Sequence, residues 1–207
     1  SFVLEIIENG PGWACAKIYK RLADLHGNIV IDEANLMREL RRAKRDLSLT
    51  VAIADIIDIW PVEKVTQALS DFADKSLSCA TSFILRKFAK LGAIALNDQD
   101  NPELGSGYII LGMGKLGASE LNYSSDIDLI ILFDPEIISS EKPNDLQRQF
   151  IRITRNLVKI MDERTADGYV FRMDLRLRPD PGATPIAVSM QAAEIYYESL
   201  GQNWERA

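Results

Sequence analysis

Two short apolar runs, residues 107–113 and 127–133, flank a segment rich in glycine. Each run is bounded by turn-forming residues and is too short for a typical helix, so both are predicted to be buried strands. The segment between them has G-x-G-x-x-G spacing, at Gly112, Gly114 and Gly117. The chain is therefore expected to leave one strand, turn tightly at the glycines and enter a second strand.

The glycine spacing has one well-known interpretation, a dinucleotide cradle, in which a helix follows the glycines and an acid binds the ribose. Asp134 lies at about the distance expected for that acid. However, only residues 118–122 are available for the helix, which needs about three turns. The second strand also opens with two acids, which an interior parallel strand has no structural reason to carry. A dinucleotide-binding oxidoreductase therefore remains the less favoured alternative.

A second interpretation is a metal site built on Asp126-Ile-Asp128. Alternation along a strand places Asp126 and Asp128 on one face, while the opposite face is apolar through Ile127, Leu129, Ile131 and Phe133. Two close carboxylates repel each other unless a cation or a basic group offsets their charge. Divalent hard cations do this well, because they prefer carboxylate oxygen ligands.

A third predicted strand, residues 169–177, strengthens the metal interpretation. Its apolar residues share one face, and the other face carries Arg172, Asp174, Arg176 and Arg178. Asp174 is expected to complete a metal-binding trio, while the arginines contact phosphate oxygens. The alternative is a catalytically silent scaffold, in which the acids only pair with the arginines.

Residues 1–96 have a different pattern of apolar residues, which predicts a helical domain. A helix is expected from Asp32, and Trp60-Pro61 separates it from a second long helix. The charged clusters of the first helix, Arg41, Arg42, Arg45 and Asp46, are predicted to form a solvated face.

The polar stretch 97–107 is the expected boundary, and residues 97–207 are predicted to form a second domain, truncated at its C-terminal end. A helix is predicted over 144–163, with Asn144 and Gln147 in a capping box. A last helix, capped by Ser189, is expected still to be running at Ala207, which suggests a piece of a longer protein. Helices followed by strands mixed with helices predict an α+β fold.

Composition excludes several chemistries. The chain of 207 residues contains one histidine, His26, so this segment alone cannot build a histidine-based triad or a histidine-rich zinc site. The net charge of −6 argues against nucleic-acid binding, and no apolar run is long enough for a membrane span. Two cysteines do not make a disulfide framework, so a reducing cytoplasm is expected.

The motifs resemble those of a known superfamily. A glycine turn, then Ser125-Asp126-Ile127-Asp128 on a strand and a third Asp on a later strand resemble the DNA-polymerase-β-like nucleotidyltransferases. More narrowly, GMGKLGASELNYSSDIDLI, FRMDLRLRPDPGATPIAVS and YYESLGQNWERA resemble the glutamine synthetase adenylyltransferase/adenylyl-removing enzyme family. The stretch LMRELRRAKRDLSLTVAIADI is similar to the helical segment before its catalytic domain. One departure is Ala118, where the family usually has glycine.

The resemblance implies that residues 97–207 form a nucleotidyltransferase domain, in which a mixed sheet is flanked by helices. Such enzymes have two copies of this domain. One attaches AMP from ATP to a tyrosine of glutamine synthetase, and the other removes it by phosphorolysis to give ADP. The sequence of residues 112–130 is more similar to that of the first, adenylyl-removing copy. The adenylylating direction, and a sibling nucleotidyltransferase with another acceptor, remain alternatives.

The resemblance also implies the site. Asp126, Asp128 and Asp174 are expected to be the catalytic residues and to hold Mg²⁺, or Mn²⁺ in its place. Nucleotide and phosphate contacts are expected from Gly114, Lys115, Gly117, Ser125, Arg172, Arg176 and Arg178. The implied partners are glutamine synthetase as protein substrate, phosphate, ADP or ATP, and a PII-type signalling protein in the full-length enzyme.

Overall fold

The computed structural model describes residues 2–138 and 145–201, which form seven α-helices and four β-strands. The helices are α1 (Phe2–Asn9), α2 (Pro11–Gly27), α3 (Glu33–Ile56), α4 (Val62–Lys90), α5 (Gly114–Gly117), α6 (Leu146–Asp162) and α7 (Met190–Ser199). The strands are β1 (Tyr108–Gly112), β2 (Ile127–Phe133), β3 (Met173–Asp174) and β4 (Val188–Ser189). Four helices precede a small mixed sheet, which confirms the predicted α+β class.

The two long helices α3 and α4 begin close to the positions that the sequence predicts. The Asp32 side chain accepts a 2.8 Å hydrogen bond from the Asn35 backbone N–H, satisfying one of the free donors of the first turn. Pro61 precedes α4, after α3 has ended at Ile56, so the predicted break at Trp60-Pro61 is confirmed. No helix within the described ranges combines the length and apolar character that a membrane crossing requires.

The prediction of a solvated face on α3 is wrong for Arg41. This side chain is 1% exposed, whereas its neighbours Arg42 and Arg45 lie on the surface. The guanidinium lies against the end of α6, where the carbonyls of Ile160 and of the capping residue Glu163 accept its hydrogen bonds. A buried arginine is acceptable only because its N–H groups are paired in this way.

Strand β2 is the centre of the sheet. It pairs antiparallel with β1 over all five β1 residues, from Tyr108↔Phe133 to Gly112↔Leu129, and parallel with β3 and β4 at its two ends. Both faces of β2 are covered, as alternation predicts. One face joins the main core with α4 and α6, and the other packs Ile130 and Leu132 against Val188 and Ala193.

The third predicted strand is much shorter than expected. Of residues 169–177 only Met173 and Asp174 pair with β2. The preceding amides of Val170 and Phe171 donate instead to the carbonyl of Met161 at the end of α6, at 2.9 and 3.2 Å. The alternating pattern therefore predicts an extended segment here. Only the part that finds hydrogen-bond partners on a neighbouring strand becomes a strand.

The glycine turn contains a single helical turn, α5, over Gly114–Gly117, far short of the three turns that a dinucleotide cradle needs. One smaller prediction, an unbroken last helix, is wrong. The last helix, capped by the Ser189 hydroxyl at the Ala192 N–H as predicted, ends at Ser199. The predicted capping residue Asn144 lies outside the described residues, and α6 begins at Leu146.

The main hydrophobic core runs from the N-terminal helices into the sheet. Buried residues of α2, α3 and α4 belong to the same cluster as the inner face of β2 and the apolar face of α6. Phe150 is one link, since its ring stacks on Phe133 with centroids 4.7 Å apart and on Tyr108 at 5.8 Å. The helices thus back the sheet, and the division after residue 96 stays a prediction.

Candidate active site

The glycine turn is shaped by two close approaches. Gly114 has φ +52°, and a β-carbon there would lie 2.9 Å from Oδ2 of Asp128. Gly117 lies against β1, where a β-carbon would come within 2.6 Å of the Gly112 carbonyl oxygen. Both positions therefore require glycine, one facing the aspartates and one facing the strand. Ala118, in contrast, has φ −83° and is exposed, so its methyl group causes no backbone strain.

Asp128 and Asp174 are brought together by the sheet. They are register partners on the adjacent parallel strands β2 and β3. Register partners of neighbouring strands project from the same face, so the two carboxylates share one side of the sheet. The Met113 N–H donates to the Asp128 carbonyl at 2.8 Å, which fixes the glycine turn next to this pair.

Asp126 lies just before β2, and its carboxylate is paired with Arg172. Oδ1 of Asp126 accepts a hydrogen bond from Nε of Arg172, and Nη2 of the same arginine donates to the Ser124 carbonyl at 3.0 Å. Both side chains are about half exposed, at 46% and 52%. The pair therefore closes the outer edge of the site in a solvated position, where an ion pair contributes little stability.

Asp174 is held by Arg176. Nε of Arg176 lies 3.0 Å from both carboxylate oxygens, and its backbone N–H donates to Oδ1 at 2.9 Å. The arginine side chain is 84% exposed, whereas the carboxylate is 17% exposed. Arg176 can thus leave the carboxylate and reach another anion without disturbing the core.

The pKa values of the two register partners are pushed in opposite directions. Burial, followed by the charges of Asp174 and Asp126, raises the pKa of the Asp128 carboxyl above its usual range. The hydrogen bond from Arg176 lowers the pKa of the Asp174 carboxyl. Diverging pKa values in neighbouring acids are typical of sites that handle charge. An ionised Asp128 is therefore the less stabilised of the two carboxylates, and a cation beside it would favour its charged form.

The remaining predicted residues lie at different distances from this centre. Lys115, exposed on α5, is close enough for its charge to lower the pKa of Asp128. Ser125 donates its hydroxyl to Oδ1 of Asn122 at 2.6 Å. Arg178 donates to the carbonyls of Leu175, Pro181 and Thr184, so it ties down the turn after β3.

The three acids fit a divalent cation by chemistry and by strand placement. They supply only carboxylate oxygens, and Asp128 carries a charge that its neighbours disfavour. As the side chains stand, however, no three His, Cys, Asp or Glu residues in the described ranges form a group that could hold a metal ion. Two of the three carboxylates are engaged by arginines, so metal binding requires Arg172 and Arg176 to turn away.

Nucleophilic side chains lie elsewhere. His26, near the end of α2, lies 2.9 Å from the Ser82 hydroxyl on α4. Both cysteines are buried, and burial raises the pKa of the Cys15 thiol to about 11 and that of Cys79 to about 12. The arrangement is therefore suited to metal-assisted phosphoryl or nucleotidyl transfer.

A contact that the sequence does not predict joins the helices to the site. The Tyr123 hydroxyl donates to Oδ2 of Asp55 on α3 at 3.0 Å. Burial, and then this hydrogen bond, raise the pKa of the tyrosine to about 12. The contact holds the loop that leads to Asp126. No local signal predicts it, because the two residues are far apart in the chain.

A mixed sheet with a glycine turn beside acids on adjacent strands is the arrangement of an α+β nucleotidyltransferase-like domain. Comparison with known proteins agrees. The family model described as Glutamate-ammonia ligase adenylyltransferase matches residues 10–207, and the chain belongs to this family.

Similar curated proteins are called bifunctional glutamine synthetase adenylyltransferase/adenylyl-removing enzyme. The one from Agrobacterium fabrum is 53% identical over 175 residues, 84% of this chain and 18% of the relative. That from Bradyrhizobium sp. strain BTAi1 is 51% identical with the same coverage, and that from Bradyrhizobium diazoefficiens is 47% identical over 207 residues, 99% of this chain and 20% of the relative. The chain thus spans about a fifth of the length of these relatives.

Proposed function

We propose that this domain removes AMP from an adenylylated tyrosine of glutamine synthetase by phosphorolysis, releasing ADP and so regulating nitrogen assimilation. The observation that carries the proposal is the register of Asp128 with Asp174, with Asp126 at the start of the same strand. The relatives' names include both an adenylylating and an adenylyl-removing activity. The choice between them rests on residues 112–130, whose sequence resembles that of the adenylyl-removing copy.

In this reaction an oxygen of inorganic phosphate attacks the phosphorus of the AMP group. The bond from phosphorus to the tyrosyl oxygen breaks, and the phenolate takes up a proton as ADP forms. Phosphate is already anionic, so it needs orientation more than a general base, which fits a site without histidine. Departure of the phenolate is the demanding step, because the pKa of tyrosine is about 10.

The chain's own residues divide this work. Asp126, Asp128 and Asp174 would hold Mg²⁺ or Mn²⁺, which supplies charge stabilisation at the phosphate oxygens and at the leaving oxygen. Arg172 and Arg176, once released from their carboxylates, bind phosphate oxygens in a fork geometry that suits them. Lys115 and the backbone N–H groups of the glycine turn would add contacts to the same anions.

The test uses adenylylated glutamine synthetase, inorganic phosphate and Mg²⁺ with the purified protein, and measures ADP. We expect ADP from the wild type and about a 10³-fold lower rate from Asp126→Asn, since several kcal/mol of transition-state stabilisation are lost. The matched control is Asp134→Asn at the far end of β2, where the side chain accepts a hydrogen bond from the Glu136 N–H. Its rate should equal that of the wild type.

Two outcomes would replace the proposal. ATP consumption with pyrophosphate release would assign the adenylylating direction to this domain. The silent scaffold is favoured by the two arginine–aspartate pairs as they stand. It would be supported by a protein that forms neither product and binds no Mn²⁺. The dinucleotide alternative has lost its basis, because β1 and β2 are antiparallel and a βαβ cradle needs parallel strands.

A further inference from the structure

Arg41 lies far from the aspartates in sequence but next to the segment that leads to Asp174. Its side chain is among the largest fully buried ones in the described chain. Nε donates to the Gly168 carbonyl at 2.9 Å and Nη1 to the Ile160 carbonyl at 3.0 Å, and Nη2 donates to the carbonyl of Glu163. One guanidinium thus donates hydrogen bonds to carbonyl groups of the last turn of α6 and of the turn that follows it.

Two of these carbonyls, those of Ile160 and Glu163, lie at the end of α6, while the Gly168 carbonyl also accepts the Thr165 N–H at 2.9 Å. The final carbonyl groups of an α-helix have no intrahelical donor, and the negative end of the helix dipole favours a cation. Arg41 meets both needs from a neighbouring helix, α3. Without it, the carbonyl of the buried Ile160 would have to find another donor.

The segment then continues under restraint to Asp174. The amides of Val170 and Phe171 are fixed to the Met161 carbonyl. The Phe171 ring is 2% exposed, and Nζ of Lys44, one turn after Arg41 on α3, lies 3.7 Å from its centroid. The Arg172 carbonyl next accepts the Ile127 N–H at 2.9 Å, which starts the β2–β3 pairing.

We infer that Arg41 is a positioning residue for Asp174. By anchoring the end of α6 and the 163–168 turn, it sets where the following residues meet β2, and hence where the Asp174 carboxylate stands relative to Asp128. The inference rests on the proposed function for its catalytic consequence, since Asp174 matters only if the three acids act together. Arg41 itself contacts neither the acids nor the glycine turn among its described hydrogen bonds.

The chain contains a matched control, Arg86 on α4. Arg86 is 6% exposed and also donates to three distant backbone carbonyls, those of His26, Gln99 and Asp100, at 2.8 to 3.0 Å. It fastens the end of α2 and the loop before β1. Arg41→Met and Arg86→Met therefore remove comparable buried networks, but only the first touches the approach to Asp174.

The experiment compares the two variants in the phosphorolysis assay and in hydrogen exchange. Both should lose similar stability, while Arg41→Met lowers kcat for ADP formation about 10²-fold further than Arg86→Met, the usual cost of a misplacement of about 1 Å. KM should change less than about twofold, because Arg41 does not contact substrate. Arg41→Lys, which keeps a charge but fewer donors, should recover about tenfold and serves if Arg41→Met does not fold.

Equal kcat values in the two variants, or a change confined to KM, would overturn the inference. If the wild type makes no ADP, the proposed function fails, and amide exchange still decides the positioning role. The Val170 and Phe171 amides should then exchange at least about tenfold faster in Arg41→Met than in Arg86→Met. Equal exchange would show that Arg41 is only one more structural contact.

Discussion

Gly114 and Asp128 face each other so closely that a β-carbon on the glycine would lie 2.9 Å from the carboxylate oxygen Oδ2. Gly114 also has φ +52°, in the left-handed region that other residues rarely adopt. Two independent constraints, conformational and steric, thus act at the position where the glycine turn meets the acids. The turn and Asp128 form one unit, and a change in the first is expected to displace the second.

Gly114→Ala should therefore impair both folding and catalysis. The left-handed conformation costs a non-glycine residue about 1–2 kcal/mol, and the new methyl group must push the Asp128 carboxylate away. We expect the free energy of unfolding to fall by that amount and ADP formation to fall about 10²-fold. Urea unfolding and the phosphorolysis assay measure the two effects separately.

Gly92→Ala is the control for this prediction. Gly92 has φ +67°, but a β-carbon there meets nothing within 4 Å. This variant should lose a similar free energy of unfolding while its ADP formation stays at the wild-type rate. A Gly114→Ala protein as active as Gly92→Ala would show that the contact with Asp128 has no catalytic importance.

Asp128→Asn should separate stability from metal binding. Burial, and then the charges of Asp174 and Asp126, disfavour the ionised Asp128, so in EDTA at pH 7 the variant should have a higher free energy of unfolding than the wild type. Added Mg²⁺ should stabilise the wild type, because a ligand of the folded state raises its stability, but not the variant. Thermal unfolding with and without Mg²⁺ tests this, with Asp134→Asn expected to behave as wild type. Equal stabilisation of Asp128→Asn by Mg²⁺ would place the metal elsewhere.

Much of the fold was predictable because strong local signals determine it. Strand β2 was predicted with its observed bounds, since a fully buried strand is a continuous apolar run between turn residues. The cap of α7 was predicted because a Ser before a helical pattern supplies a specific hydrogen bond, and the start of α3 near Asp32 followed from its apolar period. Asp126 and Asp128 stood out in the sequence because two acids opening such a strand conflict with burial.

The rest depends on partners distant in the chain. The segment 169–177 alternates like a strand, yet the Met161 carbonyl takes the Val170 and Phe171 amides before β2 can. Arg41 is indistinguishable in sequence from its exposed neighbour Arg42, and only the end of α6 makes it a core residue. The pairing of Asp126 with Arg172 likewise appears only when the two segments are brought together.

Lys44 should destabilise the folded protein at neutral pH. Its ammonium nitrogen is buried and has no hydrogen-bond partner among the described residues, and burial lowers its pKa to about 8. The contact with the Phe171 ring offsets part of this cost, by about 2 kcal/mol at most. We expect Lys44→Met to raise the free energy of unfolding by roughly 1 kcal/mol at pH 7.

The pH dependence of that gain has a definite sign. Below pH 8 Lys44 is protonated in both states, so its cost is complete. Between pH 8 and 10.5 the unfolded state binds the proton more tightly, so wild-type stability rises and the advantage of Lys44→Met shrinks. Lys64→Met is the control, since Lys64 lies over the Trp60 ring at 4.7 Å on the exposed surface. A gain that persists unchanged at pH 10 would contradict the prediction.

Glu33 joins three helices and should lend stability only when ionised. On α3, it accepts hydrogen bonds from Lys87 of α4 and Lys159 of α6, both at 2.7 Å, and the bond from Lys159 is the largest cause that lowers its pKa below 4.5. Because the lysines are partly exposed, Glu33→Gln should cost only about 1 kcal/mol at pH 7. A carboxyl whose pKa is lowered by folding stabilises the fold at pH values above the pKa of the unfolded state. The loss in Glu33→Gln should therefore vanish as the pH falls through the folded pKa.

Glu63→Gln, in the first turn of α4, corrects for the helix dipole, and chemical denaturation at pH 7 and pH 4 gives both differences. An equal loss at the two pH values would mean that Glu33 acts through packing, and not through its charge.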